Sequence, residues 1–308
     1  MKLGRILLVL CSFLVAFGAI ADPLEKPKIY VAQKCPVSGL GKKEAVPFVS
    51  GIITAIAGKF IDQAVSSALQ GVGDDKSHVD TAYANVNGFY SHIENSLILN
   101  PEMGCIVFVL GTYGDAEVKL PEAMGPFPAH TLNEVSKETF LSDKPSFYFE
   151  AVLEEPSTDS PGAFTITPVF LYYGKHRESH FFGSTVRDLA LGFEFFAPGK
   201  ETTPFAKSVL QLPYIKPNEQ NAYRQPFFKG ISIPWMPLPQ TNDTKTDVVP
   251  FTVKVTLTET DKPGKLAKTF GKAISGSSDA IADAIKKGLG VSSGQDKPSE
   301  TAKPKIKP

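Results

Sequence analysis

The sequence predicts a mainly β protein of the α+β class, with an antiparallel β-sandwich-like core, an N-terminal apolar helix and C-terminal amphipathic helices. Several segments alternate apolar and polar residues with a period of two, and turn-forming residues separate them. No helical segment stands between the strands of the central region, which favours antiparallel pairing over βαβ winding. With 22 Phe, 25 Gly and 25 Pro, the composition is typical of a folded, turn-rich protein.

Residues 1–21 predict a secretory signal peptide that is removed by cleavage. Lys2 and Arg5 provide a positive start, and residues 6–17 form an apolar stretch that is too short to span a bilayer. Small residues then precede the expected cleavage site after Ala21. We therefore expect an exported protein, located in the periplasm or outside the cell.

Residues 22–120 are expected to form an N-terminal α/β region. Residues 29–32 predict a short strand, and residues 82–90 show weak alternation. Residues 105–110 are continuously apolar, as in a strand that is buried on both faces. Turn signals follow from residue 111 to residue 144, and we expect the boundary between two domains in that stretch.

Residues 47–70 predict one long helix that is apolar around nearly its whole circumference. Such a helix is normally buried within the protein, and contact with a partner or a membrane surface is the alternative. Lys59 and Asp62 weigh against a transmembrane span, since each charge would cost about 2.5–3.5 kcal/mol near the middle of a bilayer.

Residues 140–262 are expected to form the β-sandwich. Residues 147–154 and 163–173 predict a hairpin. Within residues 189–195 every second residue is large and apolar, which predicts a strand with one apolar face. Residues 227–233 predict a further strand near a sheet edge, because a proline flanks each end.

The clearest strand pattern lies in residues 251–258. Its apolar positions are expected to face the core. The alternate positions, which are expected to face water, are Thr252, Lys254, Thr256 and Thr258.

The C-terminal part changes to helical spacing. Residues 263–290 predict amphipathic helices, with Leu266, Phe270 and Ile274 on one apolar stripe. The stripe is expected to dock on the sandwich, and peripheral contact with an anionic membrane is the alternative. Residues 291–308 lack apolar content and are expected to be a disordered tail.

Two cysteines, Cys35 and Cys105, remain once Cys11 leaves with the signal peptide. An even pair in an oxidising compartment predicts a disulfide. It would close a loop of about 70 residues and stabilise the fold by about 4 kcal/mol in the chain-entropy model. Two buried, unpaired thiols are the alternative, because Cys105 opens an apolar run.

His176 and His180 are the weak candidates for a metal site. A zinc site normally needs three or four protein ligands, and no third ligand stands nearby in the sequence. We therefore expect residues 176–180 to form a surface loop, and we expect neither a metal nor another cofactor.

Trp235 and Met236 form the candidate binding surface. They lie in a proline-rich segment that would hold an exposed aromatic side chain at low entropic cost. The alternative is that both side chains close one end of the sandwich core.

The function expected from these features is that of a non-enzymatic envelope protein that binds another envelope protein, a glycan or the membrane surface. The whole chain has 32 basic and 32 acidic residues, which argues against nucleic acid as a partner. The sequence contains no Gly-x-Ser-x-Gly elbow and no His-Glu-x-x-His motif. A secreted hydrolase with dispersed catalytic residues is the alternative, drawing on His176, His180, Glu178 or His130.

Overall fold

The computed structural model describes residues 25–41, 77–93, 96–100, 103–121, 124–128, 130–155, 163–176, 186–197, 204–229, 231, 233, 236–238 and 249–260. These residues form eleven strands and one short helix. In chain order they are β1 (Lys26–Ala32), β2 (Ser77–Ile93), β3 (Ser96–Leu99), β4 (Cys105–Gly111), α1 (Thr131–Thr139), β5 (Phe147–Glu154), β6 (Ala163–Tyr173), β7 (Arg187–Phe196), β8 (Ala206–Ile215), β9 (Tyr223–Arg224), β10 (Met236–Pro237) and β11 (Val249–Thr260).

The predicted signal peptide and three other predicted segments lie outside the described residues. These segments are the helix over residues 47–70, the helices over residues 263–290 and the tail over residues 291–308. They stay predictions from the sequence.

The first sheet has the strand order β1-β4-β5-β6-β10, and β9 also pairs with β6. Every pairing is antiparallel. Phe108 of β4 lies opposite Ile29 on one side and Phe149 on the other. The predicted hairpin is confirmed, because β5 pairs with β6 and places Phe149 opposite Leu171.

The second sheet has the order β3-β2-β11-β7-β8 and is also antiparallel throughout. β11 lies in its middle, with Val255 opposite Ala82 of β2 and Phe193 of β7. The apolar positions predicted in residues 189–195 are buried. Each sheet joins strands from both sides of the predicted domain boundary, since β4 pairs with β5 and β2 pairs with β11.

Side chains from both sheets meet in one apolar core. The Phe149 ring of β5 lies 6.2 Å from the Phe193 ring of β7, and the Phe164 ring of β6 lies 5.0 Å from the Phe195 ring of β7. Burial of each such ring stabilises the fold by about 1.5–3 kcal/mol. The aromatic contacts therefore stabilise the packing of one sheet against the other.

A second apolar cluster covers the opposite face of the first sheet. α1 contributes Leu132 and Val135 to this cluster, and the preceding loop contributes Phe127. Val107 and Val109 of β4 lie beneath them. This cover explains why β4 is buried along its whole length, as its continuously apolar sequence predicted.

One part of the prediction for β11 was wrong. Thr256 and Thr258 were expected to face water, but they are only 8% and 3% exposed. The Thr256 hydroxyl lies 3.3 Å from that of Thr81 in the neighbouring strand. Because β11 has a strand on each side, its short side chains are hidden more readily than those of an edge strand. Lys254, which is longer, is half-buried.

The prediction of a strand over residues 227–233 was also wrong for the first residues of that range. Residues 225–229 form a turn. The Phe227 N–H donates to the Arg224 carbonyl at 2.8 Å, and the Lys229 N–H donates to the Pro226 carbonyl at 2.9 Å. These local bonds occupy backbone groups that a strand would present to a neighbouring chain segment.

Candidate functional site

The candidate site lies where the ends of strands from both sheets meet. Tyr173 ends β6 in the first sheet, and His176 follows it by three residues. Arg187 begins β7, and Glu259 is the penultimate residue of β11, both in the second sheet. We refer to these four residues as the inter-sheet polar cluster.

Distances within the inter-sheet polar cluster are short. Tyr173 Oη lies 2.7 Å from His176 Nδ1, and the two rings meet edge to face with centroids 5.6 Å apart. Glu259 Oε1 lies 3.2 Å from Arg187 Nε and 3.5 Å from His176 Nδ1. Glu259 therefore connects His176, which follows a strand of the first sheet, to Arg187 in the second sheet.

The charges of this cluster are almost completely removed from water. The side chains of Arg187 and Glu259 are 4% and 6% exposed, and that of His176 is 19% exposed. A buried charge is tolerated only when an opposite charge and hydrogen bonds compensate for lost hydration. The arginine and the glutamate supply that compensation to each other.

The surroundings shift the proton affinities of both uncharged members. Burial lowers the pKa of His176 from its usual 6.5, the Arg187 charge lowers it further, and Glu259 opposes both effects. Burial, reinforced by Glu259, raises the pKa of Tyr173 well above its usual range. At neutral pH we therefore expect a neutral imidazole beside a protonated phenol.

The histidines named from the sequence do not come together in the described part of the chain. His130 is exposed at the start of α1, with a left-handed φ of 73°, and α1 covers the outer face of the first sheet. His176, the first residue of the predicted surface loop, is half-buried in the inter-sheet polar cluster. Glu178 and His180 lie outside the described residues.

Met236 does not offer an exposed surface. It lies in β10 opposite Phe164, is 1% exposed and belongs to the core between the sheets. Met236 is therefore a core residue in the described part of the chain. Trp235 lies outside the described residues.

The predicted disulfide between Cys35 and Cys105 is confirmed, with the two Cα atoms 5.2 Å apart. Both residues are buried, at 1% and 0% exposure. The bond joins the loop after β1 to the first residue of β4. The alternative of two unpaired thiols is thereby excluded.

A buried carboxylate beside this disulfide was missed in the sequence. Glu150 of β5 is fully buried. Its Oε1 accepts hydrogen bonds from the Val37 N–H at 2.6 Å and the Tyr148 hydroxyl at 2.8 Å, and its Oε2 accepts one from the Ser38 N–H at 2.9 Å. The sequence signal was a single charge in the middle of the apolar run Phe147-Tyr-Phe-Glu-Ala-Val-Leu.

Burial and hydrogen bonding act on Glu150 in opposite directions. Burial raises the pKa of the carboxyl above its usual 4.5, while the hydrogen bonds from Val37, Tyr148 and Ser38 lower it. The net shift is upward. The hydrogen bonds therefore offset part of the penalty for burying this charge.

The chain was compared with known protein families, curated proteins and solved structures, and none of them matches it. Within the described ranges, no group of three or more His, Cys, Asp or Glu residues is arranged to hold a metal ion. The same part of the chain contains no helix that is long and apolar enough to cross a membrane.

Proposed function

We propose that this chain is an exported, non-enzymatic envelope protein, in which the two sheets form a β-sandwich that binds another envelope protein. The observation that carries this proposal is the inter-sheet polar cluster. Its four side chains contact one another at short distances between the sheets, as in a polar cluster that holds a scaffold together. The Cys35–Cys105 disulfide supports export, because such bonds persist in oxidising compartments.

We assign the binding surface to the outer face of the second sheet. Tyr83 of β2 is 64% exposed and lies opposite Lys254, which in turn lies opposite Glu194 of β7. Lys254 Nζ and Glu194 Oε2 form an ion pair at 2.6 Å. Tyrosine is enriched among the residues that contribute most to protein interfaces, and the adjoining ion pair can contribute a polar rim.

Affinity capture from the native envelope tests this assignment. The wild-type chain and the Tyr83→Ser variant are immobilised and compared. Tyr214→Ser is the matched control, because Tyr214 is also 64% exposed but belongs to the edge strand β8. We expect a protein that binds wild type and Tyr214→Ser and is lost with Tyr83→Ser. Equal capture by all three chains would contradict the assignment, and capture of carbohydrate alone would replace the protein partner with a glycan.

A secreted hydrolase is the second candidate, because a carboxylate, an imidazole and a hydroxyl group meet in the inter-sheet polar cluster. Glu259 and Tyr173 both contact Nδ1 of His176, however, whereas a general base uses one ring nitrogen for the orienting acid and the other for the hydroxyl group. Against it, the raised pKa of Tyr173 makes that hydroxyl a poor nucleophile. Ester, peptide and glycoside hydrolysis assays of wild type and His176→Gln decide between the two, since the binding proposal expects no turnover by either.

A further inference from the structure

The loop that carries Cys35 is a compact unit. The Cys35 N–H donates to the Leu40 carbonyl at 2.6 Å, and the Gly39 N–H donates to the Cys35 carbonyl at 2.8 Å. Lys34 and Gly41 form a bridge at the base of the loop. Because these bonds tie the loop to itself, any group that fixes one part of it also restricts the position of Cys35.

Two interactions hold this loop against neighbouring strands of the first sheet. The disulfide joins Cys35 to Cys105 in β4, and the carboxylate of Glu150 in β5 accepts the hydrogen bonds from Val37 and Ser38. β4 and β5 pair directly, and Cys105 lies opposite the residue two positions beyond Glu150. The disulfide and the hydrogen bonds to Glu150 therefore hold the same short loop from the same side.

The interaction between Glu150 and the loop consists of charge-assisted hydrogen bonds. Three donors point at Glu150, two from the loop backbone and one from Tyr148, and an ionised carboxylate is a group that only accepts hydrogen bonds. Hydrogen bonds from neutral donors to a charged acceptor are stronger than those between neutral groups. Since the carboxylate belongs to a central strand, its position does not depend on the disulfide.

We propose that Glu150 is the positioning residue for the Cys35–Cys105 disulfide: its carboxylate seats the loop on β4 and β5 before the sulfur–sulfur bond forms. Cys35 is then held at Cys105 at a high effective concentration, which favours the disulfide over the two thiols. The carboxylate takes no part in the exchange chemistry itself.

The exchange is balanced with glutathione disulfide as the oxidant. One cysteine thiolate attacks glutathione disulfide and releases one glutathione thiolate, which leaves a mixed disulfide. The second cysteine thiolate attacks the protein sulfur of that mixed disulfide and releases the second glutathione thiolate. Two electrons pass from the cysteines to glutathione, and the two thiol protons pass through solvent to the released thiolates.

The protein is equilibrated in buffers with a defined ratio of reduced to oxidised glutathione. The fraction of protein with the disulfide then gives the effective concentration of the two cysteines. Wild type is compared with Glu150→Gln, which places an amide donor against the loop N–H groups. We expect the effective concentration to fall about ten- to hundred-fold, the range for losing hydrogen bonds to a charged group. Glu154→Gln is the matched control, because Glu154 lies on the same strand and accepts its hydrogen bond from Thr167 of β6 at 2.7 Å. We expect that variant to stay within about two-fold of wild type, since its hydrogen bond lies outside the loop.

An unchanged equilibrium in Glu150→Gln, or an equal loss in Glu154→Gln, overturns the proposal. Amide hydrogen exchange in reduced wild type gives a second test that needs no variant, should Glu150→Gln fail to fold. We expect the Val37 and Ser38 amides to stay protected after reduction, because the carboxylate still holds them. Exchange of both amides at the rate of an unprotected peptide would show that the disulfide alone seats the loop.

Discussion

Arg187 and Glu259 form an ion pair inside the protein, with 3.2 Å between Arg187 Nε and Glu259 Oε1. Their strands, β7 and β11, are neighbours in the second sheet. Glu259 also faces His176, which follows the last long strand of the first sheet. The pair thus lies at the junction of the two sheets, where its loss would affect both.

Replacement of Arg187 by Met should strongly destabilise the protein. The substitution removes the charge that faces the buried Glu259 carboxylate, and breaking a buried pair in this way costs about 3–5 kcal/mol. Urea unfolding at pH 7 measures the loss. The double variant Arg187→Met with Glu259→Leu should recover much of it, because neither charge then remains. A double variant as unstable as the single one would show that the pair is not the source of the effect.

Acidification should weaken the fold through His176. Its pKa in the folded protein lies below the 6.5 of the unfolded chain, so the unfolded chain binds a proton more readily. The stabilisation is complete above about pH 6.5 and is lost as the pH falls from there through the lower folded pKa. Unfolding free energies across this range should fall less steeply with acid in His176→Gln. A slope equal to that of wild type in His176→Gln would contradict the prediction.

Removal of the disulfide should destabilise the protein by about 4 kcal/mol, given the 70-residue separation of its cysteines. Urea unfolding of the Cys35→Ser, Cys105→Ser double variant measures this value. Thiol labelling of processed, denatured and unreduced wild type should find no reactive cysteine. Two labelled thiols per chain would mean that the bond does not form in the cell.

The processed protein should begin at Asp22, as the signal peptide predicted from residues 1–21 requires. N-terminal sequencing and intact mass of the exported form measure this directly. Retention of Met1, or a lipid attached at Cys11, would contradict the prediction.

The strands that were predicted correctly are those whose inward positions are large and apolar. β7 presents Leu189, Leu191, Phe193 and Phe195 to the core, and this alternation is visible in the sequence. β8 was missed because its buried positions begin with Ala206 and Ser208, which carry little apolar signal. α1 was missed for a related reason, since three of its five buried residues, Thr131, Ser136 and Thr139, are polar.

The inter-sheet polar cluster could be only partly anticipated. His176 stood out in the sequence, but its partners Arg187 and Glu259 are 72 residues apart from each other. Only the strand order brings them together, and pairing between distant strands leaves no local pattern. Glu150 gave a clearer signal, because a lone charge in a buried strand requires partners even when their identity is unknown.

The central position of β11 determines when the second sheet can be completed. A chain that emerges N-terminus first, from a ribosome or through a translocation channel, presents β2 and β7 long before residues 249–260. Those two strands are not neighbours, because β11 lies between them and pairs with both. Among the described strands β11 is the last to emerge, so the second sheet cannot close until residues 249–260 have appeared.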